Sequence, residues 1–515
     1  MDKKQIFIKG ATILSAAGLI SKLLGAVYRI PLANWIGDEG IGIYQMAYPI
    51  YTIVLALATA GIPVAISVIV ASNESKGLSG DSLKLLKISL ALLIVVGLLM
   101  TYLVMQSAYF ISHNILTDPR SYLAIRAVAP AIFFSAVISV YRGYYQGYQM
   151  MAPTAVSQII EQIFRVTSVL ILAVIMLPKG IEYAAAAAAS GASIGGAAGL
   201  IFLIGYYFCF HKNTIHKQKL TVSNTGAKKM TADLVKMVVP ISLGAVVLPL
   251  VQVLDAVIVP SRLIALQFTT DQATSLYGQL TGMAAVLIGL PTIFTISIST
   301  SLSPAVSESF TLGDSASIRS QVNLAARAGM LISFPCAAGL FILSTQICTM
   351  LYKNASAGIP LAILAFSCIT LGAFQISSAG LQAIGKAKIA MYDLIIAGVL
   401  KTIFNYFLTA VPFMNIKGAA LGTVLAFMVG SGLNLYHLHR LAGVKYEKIR
   451  AFKIAAASAF MAVAVHYVYV FFHLYMSLTL ATILSIGAGV VVFAVSLLLL
   501  REFDFNLVKN YVKGI

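Results

Sequence analysis

Residues Ala11–Ala33 read ATILSAAGLISKLLGAVYRIPLA. An apolar run of about 20 residues is enough to span the hydrocarbon of a bilayer as a helix, and this one holds two cations, Lys22 and Arg29. Ser15, Lys22 and Arg29 are spaced by seven, so they share one stripe of a helix. Arg29 lies near one end and can reach headgroups by snorkelling, whereas Lys22 sits close to mid-span and cannot do so easily. The stripe therefore reads as lining a polar cavity. Pro31 is expected to bend or end the helix just beyond Arg29, and Trp35, the only tryptophan, to anchor the outer interface.

The rest of the chain repeats the pattern. About fourteen apolar segments fall near 6–33, 43–72, 83–112, 121–147, 153–177, 183–210, 233–259, 276–307, 320–349, 357–384, 389–412, 417–441, 449–472 and 476–500. With 515 residues, 59% hydrophobic and 10% charged, no soluble surface can be built. The runs are continuous, not alternating, which excludes a β-barrel. The fold class is an all-α polytopic membrane protein. Of its 35 basic residues, only Arg120, Lys179, Arg262, Lys353 and Lys417 fall on the outer side if the N-terminus is cytoplasmic. That bias places both termini in the cytoplasm and accounts for the net charge of +18 without nucleic acid.

Six basic residues lie inside segments, away from the cytoplasmic ends: Lys22, Arg29, Arg126, Arg165, Arg327 and Lys401. Only three acids lie well inside: Glu161, Asp255 and Asp393. Facing lipid, six such cations would cost on the order of 15–20 kcal/mol, more than a typical folding stability of about 5–15 kcal/mol. They must face water, a partner or an anion, and their excess suggests a negatively charged cargo.

Gln158, Glu161, Gln162 and Arg165 share a face. Glu161 and Arg165, four apart, either neutralise each other or let Arg165 bind an anion while Glu161 tunes it or takes a proton. Arg126 lies inside the outer end of the fourth segment, and Arg142 reads as interfacial at its inner end. Lys401 is near the middle of the eleventh segment, two turns from Asp393. Asp255 lies close to Pro260 and Arg262, and Arg327 could snorkel inwards. Gln45, Tyr48, Thr52 and Thr59 in the second segment, and seven Ser and Thr residues in the eighth, offer hydrogen bonds that are partly intrahelical.

A polar, Lys-rich stretch at 211–232 reads as a cytoplasmic linker between an N-lobe, 1–210, and a C-lobe, 233–441, of six helices each. Residues 442–515 add a last helix pair and a tail. Gly61-Ile62-Pro63 and Gly289-Leu290-Pro291 suggest parallel repeats with bendable helices. The last two segments hold no acid, Lys or Arg in their interiors and can pack outside, offering an apolar groove. The Ala/Gly/Ser run 184–199 suits close helix packing. No catalytic or metal-binding constellation emerges, and the four cysteines show no ligand spacing, so neither enzyme activity nor a cofactor is expected.

The block Ser21-Lys22-Leu23-Leu24-Gly25-Ala26-Val27-Tyr28-Arg29-Ile30-Pro31-Leu32, followed by Trp35-Ile36-Gly37-Asp38-Glu39-Gly40, resembles a known family. So do Arg142-Gly143-Tyr144-Tyr145-Gln146-Gly147 and Leu254-Asp255-Ala256-Val257-Ile258-Val259-Pro260. The family is the stage V sporulation protein B and YtgP branch of polysaccharide biosynthesis proteins, within the multidrug/oligosaccharidyl-lipid/polysaccharide exporter superfamily. It is similar to the MurJ lipid II flippases of Gram-positive bacteria.

The resemblance implies two six-helix lobes around a central cationic cavity, with an extra helix pair whose groove takes an undecaprenyl tail. Lys22 falls on one of the family's functional first-helix cations; Arg29 falls one position after another. An arginine pair in the second helix of Gram-negative relatives has no counterpart here. Expected pyrophosphate contacts are Lys22, Arg29, Arg126, Arg165 and Lys401. Ser15, Gln45, Glu161, Asp255, Arg262 and Asp393 are expected to line the cavity or couple transport to the membrane potential or an ion.

The expected function is that of a monomeric flippase of the bacterial cell membrane, working beside membrane lipids and cell-wall synthesis enzymes. Its expected cargo is an undecaprenyl-pyrophosphate-linked glycan, foremost lipid II. A teichoic or capsular glycan is the alternative cargo. A cation antiporter would need an acid-dominated cavity, and a glycosyltransferase would need catalytic acids or a large outer loop.

Overall fold

The computed structural model describes residues 3–214, 221, 226–445, 447–500 and 502. Residues 215–220 and 222–225 of the expected linker and the tail after 502 lie outside them. No strand occurs among the described residues. Helices dominate because lipid offers no partner for a backbone amide, so each apolar segment satisfies its own.

Packing divides the chain into two compact units, Met1–Gly278 and Gln279–Ile515. The first contains α1 (Lys3–Val27), α2 (Arg29–Thr59), α3 (Ile62–Ser75), α4 (Ser79–Phe110), α5 (Ser121–Val128) and α6 (Pro130–Gly147). It continues with α7 (Met151–Met176), α8 (Ile181–Thr214), α9 (Ala227–Ala245), α10 (Val247–Ala265) and α11 (Thr270–Gly278). Ile66, Leu85, Tyr144, Tyr145 and Leu203 lie in its principal core.

Residues 233–278 pack with this first unit. Ser242 of α9 accepts a hydrogen bond from the Gly61 amide at 3.3 Å, and Thr274 of α11 donates to Asp118 at 2.8 Å. Arg120 binds Asp118 and Asp271 at 2.7 and 2.8 Å and also pairs with Glu39.

The second unit contains α12 (Ala285–Thr311), α13 (Ser315–Ile342), α14 (Ser344–Tyr352), α15 (Gly358–Leu364) and α16 (Ser367–Ala383). After these come α17 (Ala387–Thr409), α18 (Ile416–Ala442), α19 (Lys448–His473) and α20 (Leu478–Leu499). The last pair packs on α13, with Ile454, Ala457 and Leu497 against Met330, Leu331 and Phe334. Glu502, just past α20, is buried and binds Lys453 at 3.2 Å and Arg327 at 3.5 Å. Arg327 is thus clasped by a carboxylate and does not need to reach the headgroups.

Among the described residues, eleven helices are long and apolar enough to cross a membrane, or twelve if the bent pair α15–α16 is one span. The expected fourteen is not reached by this measure. The run 12–75 counts once, although 64 residues of helix would extend roughly 95 Å, about three bilayer cores. The backbone turns within it at Gly37, whose φ of 70° favours glycine. α17, which holds Lys388, Asp393 and Lys401, is not among the eleven.

Prolines set several breaks. The first helix breaks at Tyr28, earlier than expected and four residues after Leu24, because the ring of Pro31 meets the carbonyl of Val27 one turn back. Helix then resumes through Pro31 as far as Gly37. The two Gly-x-Pro sites differ: the first divides α2 from α3, whereas Pro291 lies inside α12.

Candidate functional site

A cavity of about 370 Å³ opens within the first unit, walled by α2, α3, α6 and α7. Its charged lining is Arg142, Glu161 and Arg165; Tyr48, Tyr51, Thr52, Ser135 and Ser139 add polar surface. Each side chain arrives by helical spacing. Ser135, Ser139 and Arg142 lie at i, i+4 and i+7 of α6, and Glu161 and Arg165 one turn apart on α7. Small residues of α8 let α7 approach: a Cβ at Gly195 would lie 2.5 Å from the Glu161 carbonyl oxygen, and one at Gly199 would lie 3.3 Å from the Glu161 Cβ.

Glu161 is shared. Its Oε1 accepts from Arg165 at 2.9 Å and its Oε2 from Arg142 at 2.9 Å. All three side chains are only 16–18% exposed. Arg142 also donates through Nε to Ser157 at 3.0 Å. The interfacial reading of Arg142 is therefore corrected: it lines the cavity and holds the carboxylate from the opposite wall. The polar stripe Ser135–Ser139–Arg142 is the signal that would have found it. The reading of Glu161 and Arg165 as a self-contained pair is also too simple, because two cations share one acid.

Arg29 belongs to the same neighbourhood. Tyr28, Tyr44 and Tyr48, and no carboxylate, are its principal electrostatic partners. Tyr28 and Tyr48 are also partners of Arg165. The Tyr28 and Tyr44 hydroxyls lie 3.2 Å apart. The Nε atoms of Arg29 and Arg165 are both buried with no hydrogen-bond partner in the protein. Such donors are costly to bury unless something accepts from them. Guanidinium forks aimed at a polar cavity bind oxyanions through charge-assisted, often bidentate hydrogen bonds.

The remaining candidates lie elsewhere. Ser15 and Lys22 are exposed on α1. Arg126 is exposed and turned onto its own helix, donating to the Tyr122 hydroxyl at 2.7 Å and stacking over that ring, so it is not part of this lining. Gln45, Arg262 and Lys401 are half-buried and Asp255 is buried, each with an interaction of its own. Asp393 is buried in the second unit and pairs with His437 Nδ1 at 2.8 Å, a contact the spacing of the two segments did not announce. The seven Ser and Thr hydroxyls of α12 all bond carbonyls of their own helix, so their structural role holds.

A second cavity, about 260 Å³, lies in the second unit between α13, α16, α18 and α19. Its walls are almost wholly apolar, including Met330, Phe334, Ile369 and Leu438. Lys448 and Arg450 also contribute to the lining.

With this geometry in hand, similarity to known proteins is informative. The family described as polysaccharide biosynthesis protein matches residues 7–310, and the MatE family matches 267–407. Stage V sporulation protein B of Bacillus subtilis (strain 168) is 32% identical over 457 residues, covering 88% of this chain and 87% of the relative. The lipid II flippase MurJ of the same organism is 29% identical over 483 residues, covering 90% and 88%. Among solved structures, lipid II flippase MurJ in an inward closed conformation aligns with a TM-score of 0.70 at 17% identity, covering 95% of this chain and 99% of that one. An inward-facing multidrug resistance MATE family transporter of the MOP superfamily aligns at 0.68 with 13% identity, covering 82% and 94%. These structural likenesses show the fold.

Proposed function

The chain belongs to the polysaccharide biosynthesis protein family, and we propose that it is a flippase carrying an undecaprenyl-pyrophosphate-linked glycan, lipid II, from the inner to the outer leaflet. The observation that carries this reading is the pairing of Arg142 and Arg165 on one carboxylate, with Arg29 sharing Tyr28 and Tyr48 with Arg165 and two guanidinium Nε donors unclaimed. Three cations less Glu161 leave two positive charges, which match the roughly two negative charges of a pyrophosphate diester. Lipid II, the cargo named for the MurJ relative, presents such a diester between sugar and tail.

In this reading the pyrophosphate sits on the arginines, the sugar and peptide occupy water, and the lipid tail lies against apolar helix surface. The protein transports its cargo without transforming it, by alternating access in the cell membrane with both termini cytoplasmic. The apolar cavity beside α19 supports a place for part of the tail. After release, net positive charge returns inwards along the membrane potential, worth about 2.3 kcal/mol per charge per 100 mV.

The test is a flipping assay in vesicles reconstituted with the purified protein and lipid II, run in parallel with a teichoic-type lipid-linked glycan. Lipid II should be translocated; translocation of the competitor alone would reassign the cargo. Arg29→Ala should abolish rescue of cells depleted of their lipid II flippase while the protein level holds. Normal growth would remove Arg29 from the site.

A further inference from the structure

Glu161 occupies Arg142 and Arg165, two of the three arginines assigned to the cargo. We propose that Glu161 is an internal competitor for the anion site, displaced when a pyrophosphate diester binds, and that it then accepts a proton from solvent, so that cargo loading takes up one proton. This inference rests on the pyrophosphate reading above.

The physical reasons are local. While Glu161 is bridged at 2.9 Å on both sides, its negative charge is matched twice over. A dianion seated on Arg142 and Arg165 removes those partners and brings like charge against the carboxylate. A carboxylate beside another anion in a mostly buried site favours its protonated form.

The charged groups that line the cavity with Glu161 are the two arginines the anion would occupy. From α6 the facing charged group is Arg142, from α7 it is Arg165, and from α2 the titratable neighbours are Tyr48 and Tyr51. α8 presents Gly195 and Gly199 to Glu161. α1 packs on α7 with Gly25 against Gln162, and its described titratable side chain, Lys22, is exposed. Arg29 shares Tyr28 and Tyr48 with Arg165 as electrostatic partners and, in the pyrophosphate reading, serves the incoming anion.

The bridge also supplies a route for release. When Glu161 loses its proton, the carboxylate can reclaim both guanidinium groups and expel the cargo. A site of bare arginines would bind tightly and let go slowly.

The experiment uses the full chain in nanodiscs and a synthetic isoprenyl pyrophosphoryl N-acetylglucosamine, a diester with no group titrating near neutral pH. Binding is measured by calorimetry in two buffers of different ionisation enthalpy. Wild-type protein should take up about one proton per probe bound, and its Kd should rise up to about tenfold per pH unit where the free carboxylate is ionised. Glu161→Gln should bind more tightly, with neither proton uptake nor that pH slope, and should translocate more slowly. Wild-type binding without proton uptake overturns the role of Glu161 and leaves the pyrophosphate reading standing. Absence of wild-type binding overturns both. The wild-type measurement decides the matter even if Glu161→Gln fails to fold.

Discussion

Arg142 and Arg165 face each other across a single carboxylate, and the asymmetry of that triad can be measured one side chain at a time. Removing Glu161 leaves two mostly buried guanidinium groups uncompensated, and breaking a buried pair from one side costs about 3–5 kcal/mol. Removing Arg142 leaves the Arg165–Glu161 pair intact and forfeits hydrogen bonds to Glu161 and Ser157, about 1–3 kcal/mol. Thermal unfolding in detergent should therefore rank Glu161→Ala as more destabilising than Arg142→Ala; the reverse order would mean that Glu161 is not shared. Arg165→Lys keeps the charge but loses the planar fork. It should retain much of the stability and lose most of the translocation, read as rate in the vesicle assay against melting temperature.

Two elements position the charged groups, each by a different force. α8 holds α7 by the absence of side chains. A methyl at Gly195 would overlap the Glu161 carbonyl and the Arg165 Cβ, so Gly195→Ala should cost about 1–3 kcal/mol and disturb both ion pairs. Gly205→Ala, with open space at its Cβ, is the control and should leave stability and flipping unchanged. The pair α19–α20 is held on α13 by apolar packing and by one acid. Glu502 binds Lys453 and Arg327, so Glu502→Ala should free the pair from α13. Faster hydrogen exchange in α19 and α20, with α7 and α8 unaffected, would be the signature; unchanged exchange would show that the apolar contacts suffice.

On the scale of the whole molecule, the proposed transport cycle carries net cationic charge across the field and should respond to voltage. Flipping in vesicles clamped positive outside should exceed flipping at zero potential, and equal rates would separate transport from the field. Much of this architecture could be read along the chain, because lipid imposes length, apolarity and helical backbone on every crossing. Glu161, Arg165 and Arg29 were legible for the same reason: charge inside an apolar segment is costly and therefore conspicuous. Arg142 was not, because near a segment end a cation has a cheap interfacial alternative, and only the wall opposite reveals its use. The same holds for Asp393 with His437, for Arg327 with Glu502, and for Arg126, which turns onto Tyr122. What the sequence by itself determined is that the chain is a bundle of membrane helices bearing a cationic face, since each of those properties is local to a segment. Which cations share a cavity, and which acid stands among them, only the tertiary structure decided, since partners separated by tens of residues meet through helix packing that no single segment encodes.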